Sequence, residues 1–444
     1  MKLSDLTFNP KKCFIGGKWV HPASGETIPL LNPSTGEIIC EISRGTKTDI
    51  DLSVTEARKA YEGEWGKFTA IMRGRVLVKM SQLVLEKVDY LAELEAIDVG
   101  KPLKQAKADA IALGRYLEFY GGAADKIHGE TIPYLDGYTV YTLREAHGVT
   151  GHIVPWNYPM QIIGRSVGAA LAMGNAIVLK PAEEACLTAL AFAEIAREAG
   201  IPKGVINVVP GFGEEAGASL SSHAGINHIS FTGSVKVGSL VQAAAAGNVV
   251  PVTLELGGKS ANIILDDADI EKAASAGANH CFMNTGQSCN APTRMLVSSE
   301  NYERAIAAAA EVANSTIVGA PEDEGVKIGP ISNKAQYEKV QRLIQIGIDE
   351  GARLVAGGLG RPDGLSEGYF VKPTVFADVT NDMTIAREEI FGPVLSILKY
   401  ETEDEAIDIA NDTEYGLAGY VQSGDESHAK DVARRIRAGQ ISIN

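Results

Sequence analysis

The residue types around Cys289 indicate nucleophilic chemistry. Segment 284–290 has the sequence NTGQSCN, so the thiol stands among a glycine and amide side chains. Backbone N–H groups in such a loop can lower the pKa of a thiol and hold an oxyanion. The alternative is a buried cysteine that packs as a small apolar side chain. That alternative is our interpretation for the other four cysteines, which are Cys13, Cys40, Cys186 and Cys281.

Two further polar side chains lie beside glycine or proline turns. Glu255 ends an apolar run just before Gly257, and a carboxylate desolvated there is suited to general-base catalysis. A salt bridge to Lys259 is the structural alternative. Asn157 lies in the sequence PWNYP, whose two prolines fix the loop, so its amide can donate to a developing oxyanion. Taken alone, this segment is equally a simple turn.

Two segments have features of nucleotide binding. Segment 231–238, FTGSVKVG, combines a strand, a glycine turn and a helix start, which offers helix N–H groups to a phosphate. It is not the GxGxxG fingerprint and is therefore a weak motif by itself. Lys180 and Glu183 end another strand, where the carboxylate can accept from a ribose hydroxyl. Either segment alone is typical of a common loop.

The elements that must position these residues follow from hydrophobic periodicity. After a hairpin-like stretch at 14–20, helical patterns dominate 49–126. From residue 148 onward, strand-like runs alternate with helical ones such as 185–199. The runs are 149–154, 176–179, 205–209, 228–231 and 252–256. This alternation predicts a parallel, doubly wound sheet.

A second alternating series begins at 261–265 and continues through the strand 294–297 to the end of the sequence. Asp266 and Asp267 are predicted to cap the helix that follows 261–265. Apolar and polar residues alternate over 139–145, which favours an exposed antiparallel arm. We therefore predict an α/β protein with two doubly wound, Rossmann-like domains and a small antiparallel arm.

Composition excludes several classes of protein. The chain has 444 residues, 45% of them hydrophobic, and a net charge of −15, so two or three globular domains are expected and nucleic-acid or anionic-membrane binding is not. Its five cysteines form no CxxC pair, so neither a disulfide framework nor a metal site is predicted. Segment 1–13 is polar and no run approaches about 18 apolar residues. A soluble, cytoplasmic protein is the expectation.

Six segments in one order resemble the aldehyde dehydrogenase superfamily, in its NAD(P)-dependent, hydrolytic form. The spacing of Glu255 and Cys289, 289 − 255 = 34 residues, is also similar to that of the family. The segments are PWNYP at 155–159, KPAE at 180–183, FTGSVKVG at 231–238, ELGGKS at 255–260, GQSC at 286–289 and EEIFGPV at 388–394.

The resemblance implies NAD-dependent oxidation of an aldehyde to the carboxylic acid. Cys289 attacks the aldehyde, and the Asn157 amide and the Cys289 backbone N–H stabilise the oxyanion. Hydride transfer to the nicotinamide leaves a thioester, which Glu255 hydrolyses by activating water. Glu255 also favours release of a free acid over acyl transfer to coenzyme A. Lys259, in the same motif as Glu255, is expected to support the catalytic residues.

The resemblance also implies a set of cofactor-binding residues. Ser234 would lie at the pyrophosphate, Glu389 at the nicotinamide ribose and Phe391 beside the ring. Glu183 would bind the adenosine ribose and repel a 2′-phosphate, so NAD is predicted to be preferred over NADP. The full set is Pro155, Trp156, Lys180, Glu183, Gly213, Phe231, Gly233, Ser234, Leu256, Glu389 and Phe391.

Substrate contacts are expected from Tyr158, Arg165, Ser288 and Asn290. Many family members have an aromatic residue and a lysine where this chain has Arg165 and Ser166. Arg165 can pair with a carboxylate on the substrate, as in semialdehydes of dicarboxylic acids. The alternative is a surface or interdomain salt bridge.

The resemblance divides the chain into an NAD-binding domain (1–126 and 147–257), an oligomerisation arm (127–146) and a catalytic domain (258–444). A homodimer or homotetramer is expected. In the family, the strand at 441–444 is followed by further residues that add a strand for the neighbouring arm, so a C-terminal tail is expected to be missing. The alternatives to an NAD-dependent enzyme are a cofactor-independent thiol esterase and a truncated, non-catalytic protein.

Overall fold

The computed structural model describes residues 5–444, which form two compact units. The first unit comprises the described residues up to Leu31, then Ile38–Asp98 and Leu103–Glu255. The second comprises Asn32–Glu37, Val99–Pro102 and Leu256–Asn444. Residues 1–4, part of the predicted first domain and of the polar N-terminal segment, lie outside the described residues.

The first unit is built on a seven-stranded sheet in the order β11-β10-β7-β8-β9-β1-β2. Strands β7 to β11 are parallel, and the hairpin β1–β2 adds antiparallel strands at one edge. The strands are β1 (Cys13–Ile15), β2 (Lys18–Val20), β7 (Val149–Val154), β8 (Ala176–Pro181), β9 (Ile206–Val208), β10 (His228–Thr232) and β11 (Val252–Glu255). Two more pairs, β3 (Thr27–Leu31) with β4 (Ile38–Ser43) and β5 (Thr131–Ile132) with β6 (Val140–Tyr141), are antiparallel.

Eight α-helices belong to this part of the described chain, with a short 3₁₀ turn at Trp65–Lys67 and a π-turn at Gly213–Gly217. They are α1 (Lys47–Glu62), α2 (Ala70–Glu86), α3 (Val88–Val99), α4 (Leu103–Ala123), α5 (Pro159–Ala172), α6 (Leu187–Ala199), α7 (Ala218–Ser221) and α8 (Val235–Ala246). Every residue of β8 is buried, as expected for a central parallel strand covered on both faces.

The second unit has its own seven-stranded sheet, in the order β14-β15-β16-β13-β12-β17-β18. Its pairings are parallel except for β14 with β15. The strands are β12 (Ala261–Ile264), β13 (Arg294–Ser298), β14 (Arg353–Ala356), β15 (Thr374–Ala377), β16 (Val394–Tyr400), β17 (Ala418–Gln422) and β18 (Gln440–Ile443). The helices are α9 (Ile270–Phe282), α10 (Tyr302–Ser315), α11 (Lys334–Asp349), α12 (Thr384–Arg387), α13 (Glu403–Asn411) and α14 (Glu426–Ala433).

Two hydrophobic clusters cover the two faces of this second sheet. Ile263 and Leu296 belong to one cluster, whereas their neighbours Ile264 and Met295 belong to the other. Consecutive strand residues point to opposite faces, so both faces are packed. The predicted fold class is therefore confirmed: two α/β units with parallel sheets and a small antiparallel sheet.

The predicted helix cap at Asp266 and Asp267 is wrong. The N-cap of helix α9 is Asp269, three residues after Asp266 and two after Asp267, and it accepts from the N–H of Lys272 at 3.3 Å. Asp266 instead accepts from the Ser298 hydroxyl, and Asp267 from the Ser423 hydroxyl at 2.7 Å. Both carboxylates have partners far away in the sequence, Ser298 at the end of β13 and Ser423 just after β17, which the local pattern does not reveal.

The unit boundaries differ in detail from the sequence-based division. The first unit ends at Glu255 rather than at 257, and segments 32–37 and 99–102 belong to the second unit. The N–H of Tyr369 donates to the carbonyl of Pro33 at 2.9 Å, which ties the first of these segments there. The short sheet β5–β6 lies within 127–146, the segment predicted as an arm.

Among residues 5–444, no helix is both long enough and apolar enough to cross a membrane.

Candidate functional site

The loop before Cys289 has an unusual backbone. Between α9 and β13, the consecutive residues Asn284, Thr285 and Gly286 have φ angles of 52°, 58° and 69°. The left-handed region is unfavourable for a β-branched residue such as Thr285, so this conformation must be held by its surroundings. At Gly286 only glycine fits, because a Cβ atom would overlap the carbonyl of Gly392.

Buried hydrogen bonds hold this loop. The Thr285 hydroxyl donates to the carbonyl of Gly329 at 3.0 Å. The Gln287 side chain is buried and bonds at both ends: its Nε2 donates to the carbonyl of Asn284 at 3.1 Å, and its Oε1 accepts from the N–H of Ser332 at 2.9 Å. Gln287 thereby connects the strained turn to the loop before α11. Cys289 itself is partly exposed, so its thiol is placed on a fixed backbone within reach of solvent.

Two glycines allow three of the segments that carry the family resemblance to pack closely in the second unit. A Cβ at Gly258 would overlap the carbonyl oxygen of Cys289, and a Cβ at Gly257 would lie 2.5 Å from the Glu389 carboxylate. The N–H of Gly258 donates to Glu389 Oε1 at 3.0 Å. Gly257 and Gly258 therefore allow segments 286–289 and 388–394 to approach this backbone closely within the second unit.

Helix α11 fixes the segment that carries Glu389. Gln336 Nε2 donates to the carbonyls of Ile390 and Phe391 at 2.9 and 2.8 Å, and Lys339 Nζ donates to the carbonyl of Glu389 at 2.7 Å. Phe391 has a φ angle of 58°, and these bonds hold its strained backbone. Burial raises the pKa of the Glu389 carboxyl above its usual range.

Lys259 and Arg294 place two cations in the interior of the second unit, each 1% exposed. The Lys259 amine has no hydrogen-bond partner in the described chain. Burial and the neighbouring Arg294 lower the pKa of the Lys259 amine to about 7. The alternative that Lys259 forms a salt bridge with Glu255 is therefore wrong.

The remaining cysteines are poor nucleophiles. Burial raises the pKa of the Cys13, Cys40 and Cys281 thiols to about 12 and that of Cys186 well above its usual range. Such thiols remain protonated at neutral pH, and the thiolate is the reactive form. These four residues have the environments of packing cysteines.

In the first unit, Asn157 lies between β7 and α5. Pro155 and Trp156 are partly buried, Asn157 is 7% exposed, and Pro159 is the first residue of the helix. Proline is favourable at that position because its missing N–H would have no helical partner. The Tyr158 hydroxyl accepts from Gln105 Nε2 at 3.4 Å.

Glu255, the last residue of β11, differs from expectation. Its side chain is exposed, so the carboxylate is not desolvated by its own unit as predicted. The strand is at the edge of the sheet, where only β10 covers it. Its backbone is fixed, since the carbonyl of Glu255 accepts from the N–H of Gly233 at 3.0 Å.

The glycine turn after β10 is tightly determined. A Cβ at Gly233 would lie 2.6 Å from the buried ring of Phe231, so a side chain there would displace that ring. Ser234 is the N-cap of α8, and its hydroxyl accepts from the N–H of Val237 at 3.3 Å. The exposed start of α8 leaves helix N–H groups available to an anion.

At the end of β8, the buried Lys180 amine forms a salt bridge of 2.9 Å with Glu183. The Glu183 side chain is 25% exposed, so its carboxylate is oriented and still accessible. Burial, assisted by the charge of Glu183, raises the pKa of the adjacent Glu184 to about 7.

The other predicted site residues are exposed or only partly buried. Gly213 begins the π-turn and is exposed, while Leu256 is partly buried. Arg165 is exposed on α5, and the Ser166 hydroxyl bonds back to the carbonyl of Ile162 at 2.9 Å. Ser288 and Asn290 are partly buried beside Cys289.

Four residues that support the site were given no role from the sequence, although Gln287 lies within the GQSC segment. They are Gln287, Gln336, Lys339 and Tyr420; the Tyr420 hydroxyl donates to the carbonyl of Asn290 at 2.7 Å. Burial raises the pKa of Tyr420 to about 12, so this donor keeps its proton at neutral pH. In the part of the chain that the structure describes, no group of three His, Cys, Asp or Glu side chains is arranged to hold a metal ion.

Comparison with known proteins supports membership of the aldehyde dehydrogenase family. The model of the aldehyde dehydrogenase family matches residues 19–444. Retinal dehydrogenase 2 of Homo sapiens is 44% identical over 446 residues, covering 99% of this chain and 85% of the relative. Aldehyde dehydrogenase 1 of Tanacetum cinerariifolium is 43% identical over 443 residues, covering 99% of this chain and 88% of the relative.

The fold of this chain is also similar to that of a solved aldehyde dehydrogenase structure. Aldehyde dehydrogenase C of Pseudomonas syringae, a mutant in complex with NAD+ and octanal, superposes with a TM-score of 0.95 at 40% identity. The superposition covers all of this chain and 91% of that one. The family model, the full-length relatives and the shared fold agree, so this chain belongs to the aldehyde dehydrogenase family and is an aldehyde dehydrogenase.

Proposed function

We propose that the protein oxidises an aldehyde to the carboxylic acid with NAD, through a thioester on Cys289. The observation that carries this proposal is the packing of Gly257 and Gly258 against Glu389 and Cys289. It holds a partly exposed thiol and an anchored carboxylate in fixed positions within one unit. The complex of the Pseudomonas syringae relative with NAD+ and octanal supports the same pairing of cofactor and substrate.

Residues of the chain are proposed to add the thiolate to the aldehyde, stabilise the alkoxide and hydrolyse the thioester. The Cys289 thiolate adds to the aldehyde carbon, and the Asn157 amide and the Cys289 N–H donate to the resulting alkoxide. NAD, when bound, accepts the hydride that leaves this carbon. Glu255 then removes a proton from water, the hydroxide adds to the thioester carbon, and the acid leaves as the thiolate of Cys289 re-forms.

The exposed carboxylate of Glu255 suits this role, because its proton can be passed directly to solvent after each turnover. Lys259 is assigned to the support of Gly258 rather than to proton transfer, since its amine is buried. The residues proposed to hold the cofactor fit a dinucleotide. Glu183 is oriented by Lys180, the start of α8 is exposed, and Glu389 is oriented by a backbone N–H.

Replacing the proposed base tests the mechanism. In Glu255→Gln, deacylation should slow by about 10²–10⁴-fold while acylation continues, because an amide cannot take a proton from water. A stoichiometric burst of NADH and an acyl-enzyme on Cys289 should be seen by stopped flow and intact mass spectrometry. Glu322→Gln, at an exposed glutamate of the second unit, is the control and should turn over normally. Full steady-state turnover of Glu255→Gln without an acyl-enzyme would contradict the assignment, and ester cleavage without NAD would indicate a thiol esterase.

Cofactor preference depends on Glu183. Its charge, fixed by Lys180, would meet the 2′-phosphate of NADP, so kcat/KM with NADP should be at least about tenfold below that with NAD, or about 1.4 kcal/mol. Glu183→Gln should reduce this ratio, and Glu64→Gln, an exposed glutamate of the same unit, should not. Equal efficiency of the unaltered protein with both cofactors would refute the preference.

Arg165 is proposed to select aldehydes that carry a carboxylate. It is an exposed residue of α5, two turns into the helix that begins directly after Tyr158. The guanidinium has no salt bridge within the described chain, so the alternative of a structural ion pair receives no support there. A carboxylate at the far end of a substrate could form a bidentate pair with it.

Matched aldehydes test this selectivity. With Arg165→Leu, KM for an ω-carboxy aldehyde should rise about tenfold or more, while KM for the neutral aldehyde of equal length should change little. Arg165→Lys, which keeps the charge but not the bidentate geometry, should be intermediate. An equal loss on both substrates would exclude the carboxylate contact without affecting the proposed oxidation.

Self-association is proposed to involve the β5–β6 arm. Its large side chains are exposed to an extent unusual for a monomer, including Tyr138 at 68% and Leu143 at 71%. Changing both to Asp should lower the mass measured by light scattering from that of a dimer or tetramer. Ile317→Asp, an exposed apolar position of the second unit, is the control. An unchanged mass in the arm variant would remove the arm from the interface.

A further inference from the structure

A buried tyrosine of the second unit bonds to the loop that carries Cys289. Tyr420, in strand β17, is 7% exposed, and its hydroxyl donates to the carbonyl of Asn290 at 2.7 Å. The ring of His280 meets the phenol ring edge to face, with the ring centroids 5.1 Å apart and an angle of 83° between the planes. This packing and the strand fix the direction of the phenol, so its hydroxyl is held on the residue that follows the proposed nucleophile.

The peptide group that accepts this hydrogen bond is joined to a second one. The carbonyl of Asn290 and the N–H of Ala291 belong to the same peptide group, and that N–H donates to the carbonyl of Ser288 at 3.1 Å. The carbonyl of Ser288 in turn shares a peptide group with the N–H of Cys289. One chain of hydrogen bonds therefore connects the Tyr420 hydroxyl, through two peptide groups, to the N–H of Cys289.

Hydrogen bonds in such a chain strengthen one another. A donor on a peptide carbonyl draws electrons from the peptide nitrogen, so the N–H of the same group becomes a stronger donor. Each link strengthens the next by about 10–30%. Burial and the charge of Cys289 raise the pKa of Tyr420 to about 12, so the phenol remains a donor at neutral pH. The N–H of Cys289 is therefore polarised by a side chain that is distant in the sequence.

We propose that Tyr420 is a positioning residue of the oxyanion site, whose hydroxyl polarises the two linked peptide groups and so strengthens the hydrogen bond from the Cys289 N–H to the alkoxide. The inference rests on the proposed function, in which Cys289 adds to an aldehyde. In that step a bond forms between the sulfur and the carbonyl carbon, and the π electrons of the carbonyl move to its oxygen. The negative charge therefore develops at the end of the hydrogen-bonded chain, and Tyr420 acts on it through the peptide groups rather than by contact.

The size of the effect follows from the strength of an oxyanion donor. Removing one such donor costs about 10²–10³ in rate, so a change of about 10–30% in its strength corresponds to a factor of about two to eight. Tyr420→Phe removes the hydroxyl and keeps the ring that His280 contacts, so it isolates the hydrogen bond. Tyr400→Phe is the matched control. Tyr400 is also buried, and its hydroxyl donates to a carbonyl at 2.8 Å, that of Ile264 at the end of β12.

A trifluoromethyl ketone tests the oxyanion in the protein with NAD present. It adds to a thiolate as an aldehyde does, but its carbonyl carbon has no hydrogen, so no hydride leaves and the adduct persists. Ionisation of the adduct hydroxyl can be followed by fluorine NMR as the pH is changed. In Tyr420→Phe its ionisation constant should fall about two- to eightfold relative to the unaltered protein, and in Tyr400→Phe it should stay the same. Fluorotyrosine in place of Tyr420, which is a stronger donor of nearly the same shape, should raise it.

Alkylation separates this role from a merely structural one. Iodoacetamide reacts with the Cys289 thiolate by displacement of iodide, and no oxyanion forms. If the phenol acts on the oxyanion, the rate of alkylation at Cys289 and the pH profile of that rate should be the same in Tyr420→Phe and in the unaltered protein. If the phenol only holds the loop in place, the alkylation rate should fall together with the ionisation constant of the adduct.

Three results would overturn the inference alone. They are an unchanged ionisation constant in Tyr420→Phe, an equal decrease in Tyr400→Phe, and a matching loss of the alkylation rate. If Tyr420→Phe does not fold, the fluorotyrosine protein decides the matter, because an ionisation constant that does not rise there has the same meaning. Failure of the unaltered protein to form the adduct on Cys289 would instead overturn the proposed function, and this inference with it.

Discussion

At Gly258 the backbone passes so close to the carbonyl oxygen of Cys289 that a Cβ atom would overlap it, and at Gly257 a Cβ would lie 2.5 Å from the Glu389 carboxylate. A side chain at Gly258 would collide with the backbone of Cys289, and one at Gly257 would push against the Glu389 carboxylate, so the close approach of the three segments depends on these glycines. A shift of this contact would displace the thiol loop and the Glu389 segment together. The hydrogen bonds of Gln287 and Gln336 hold the thiol loop and the Glu389 segment in this close contact.

Those supports hold strained backbone. Thr285 and Phe391 have left-handed φ angles, each of which costs about 1–3 kcal/mol for a residue that is not glycine. Gln287 and Gln336 contribute two hydrogen bonds each to the segments concerned, and each bond contributes about 0.5–1.5 kcal/mol. The two terms are of similar size, so one amide side chain, buried at Gln287 and partly buried at Gln336, is enough to maintain each strained turn. A site that positions a nucleophile needs this rigidity, since small displacements are costly in rate.

The lysine of the same motif introduces an electrostatic cost. A change of the Lys259 pKa from 10.5 to about 7 corresponds to about 5 kcal/mol against the charged amine. Between these two pH values the unfolded chain holds the proton and the folded chain does not, so stability rises with pH through this window. Lys259 therefore connects the stability of the second unit to pH as well as to packing.

The sequence predicted the features that depend on local backbone chemistry. Strand β7 was predicted at its observed bounds, Pro159 is the first residue of α5, and Gly233 and Gly258 stand where an added Cβ atom would overlap its surroundings. Local patterns failed where the partner is distant. Asp266 and Asp267 have the sequence of a helix cap, but Ser298 and Ser423 take their carboxylates. The exposure of Glu255 likewise follows from the place of β11 at the sheet edge, which is a property of strand order.

The residues that support the thiol and the Glu389 segment were missed for the same physical reason. Gln287 reaches Ser332 over 45 positions, Gln336 reaches Phe391 over 55, and Tyr420 reaches Asn290 over 130. An amide or a phenol has no preferred backbone geometry that would mark it in the sequence, whereas a glycine at positive φ does. A chain therefore reveals the residues that must be small or rigid more readily than the residues that hold them in place. In this protein Cys289 belongs to a segment with a glycine at positive φ, and distant side chains such as Gln287 and Tyr420 hold that segment in place.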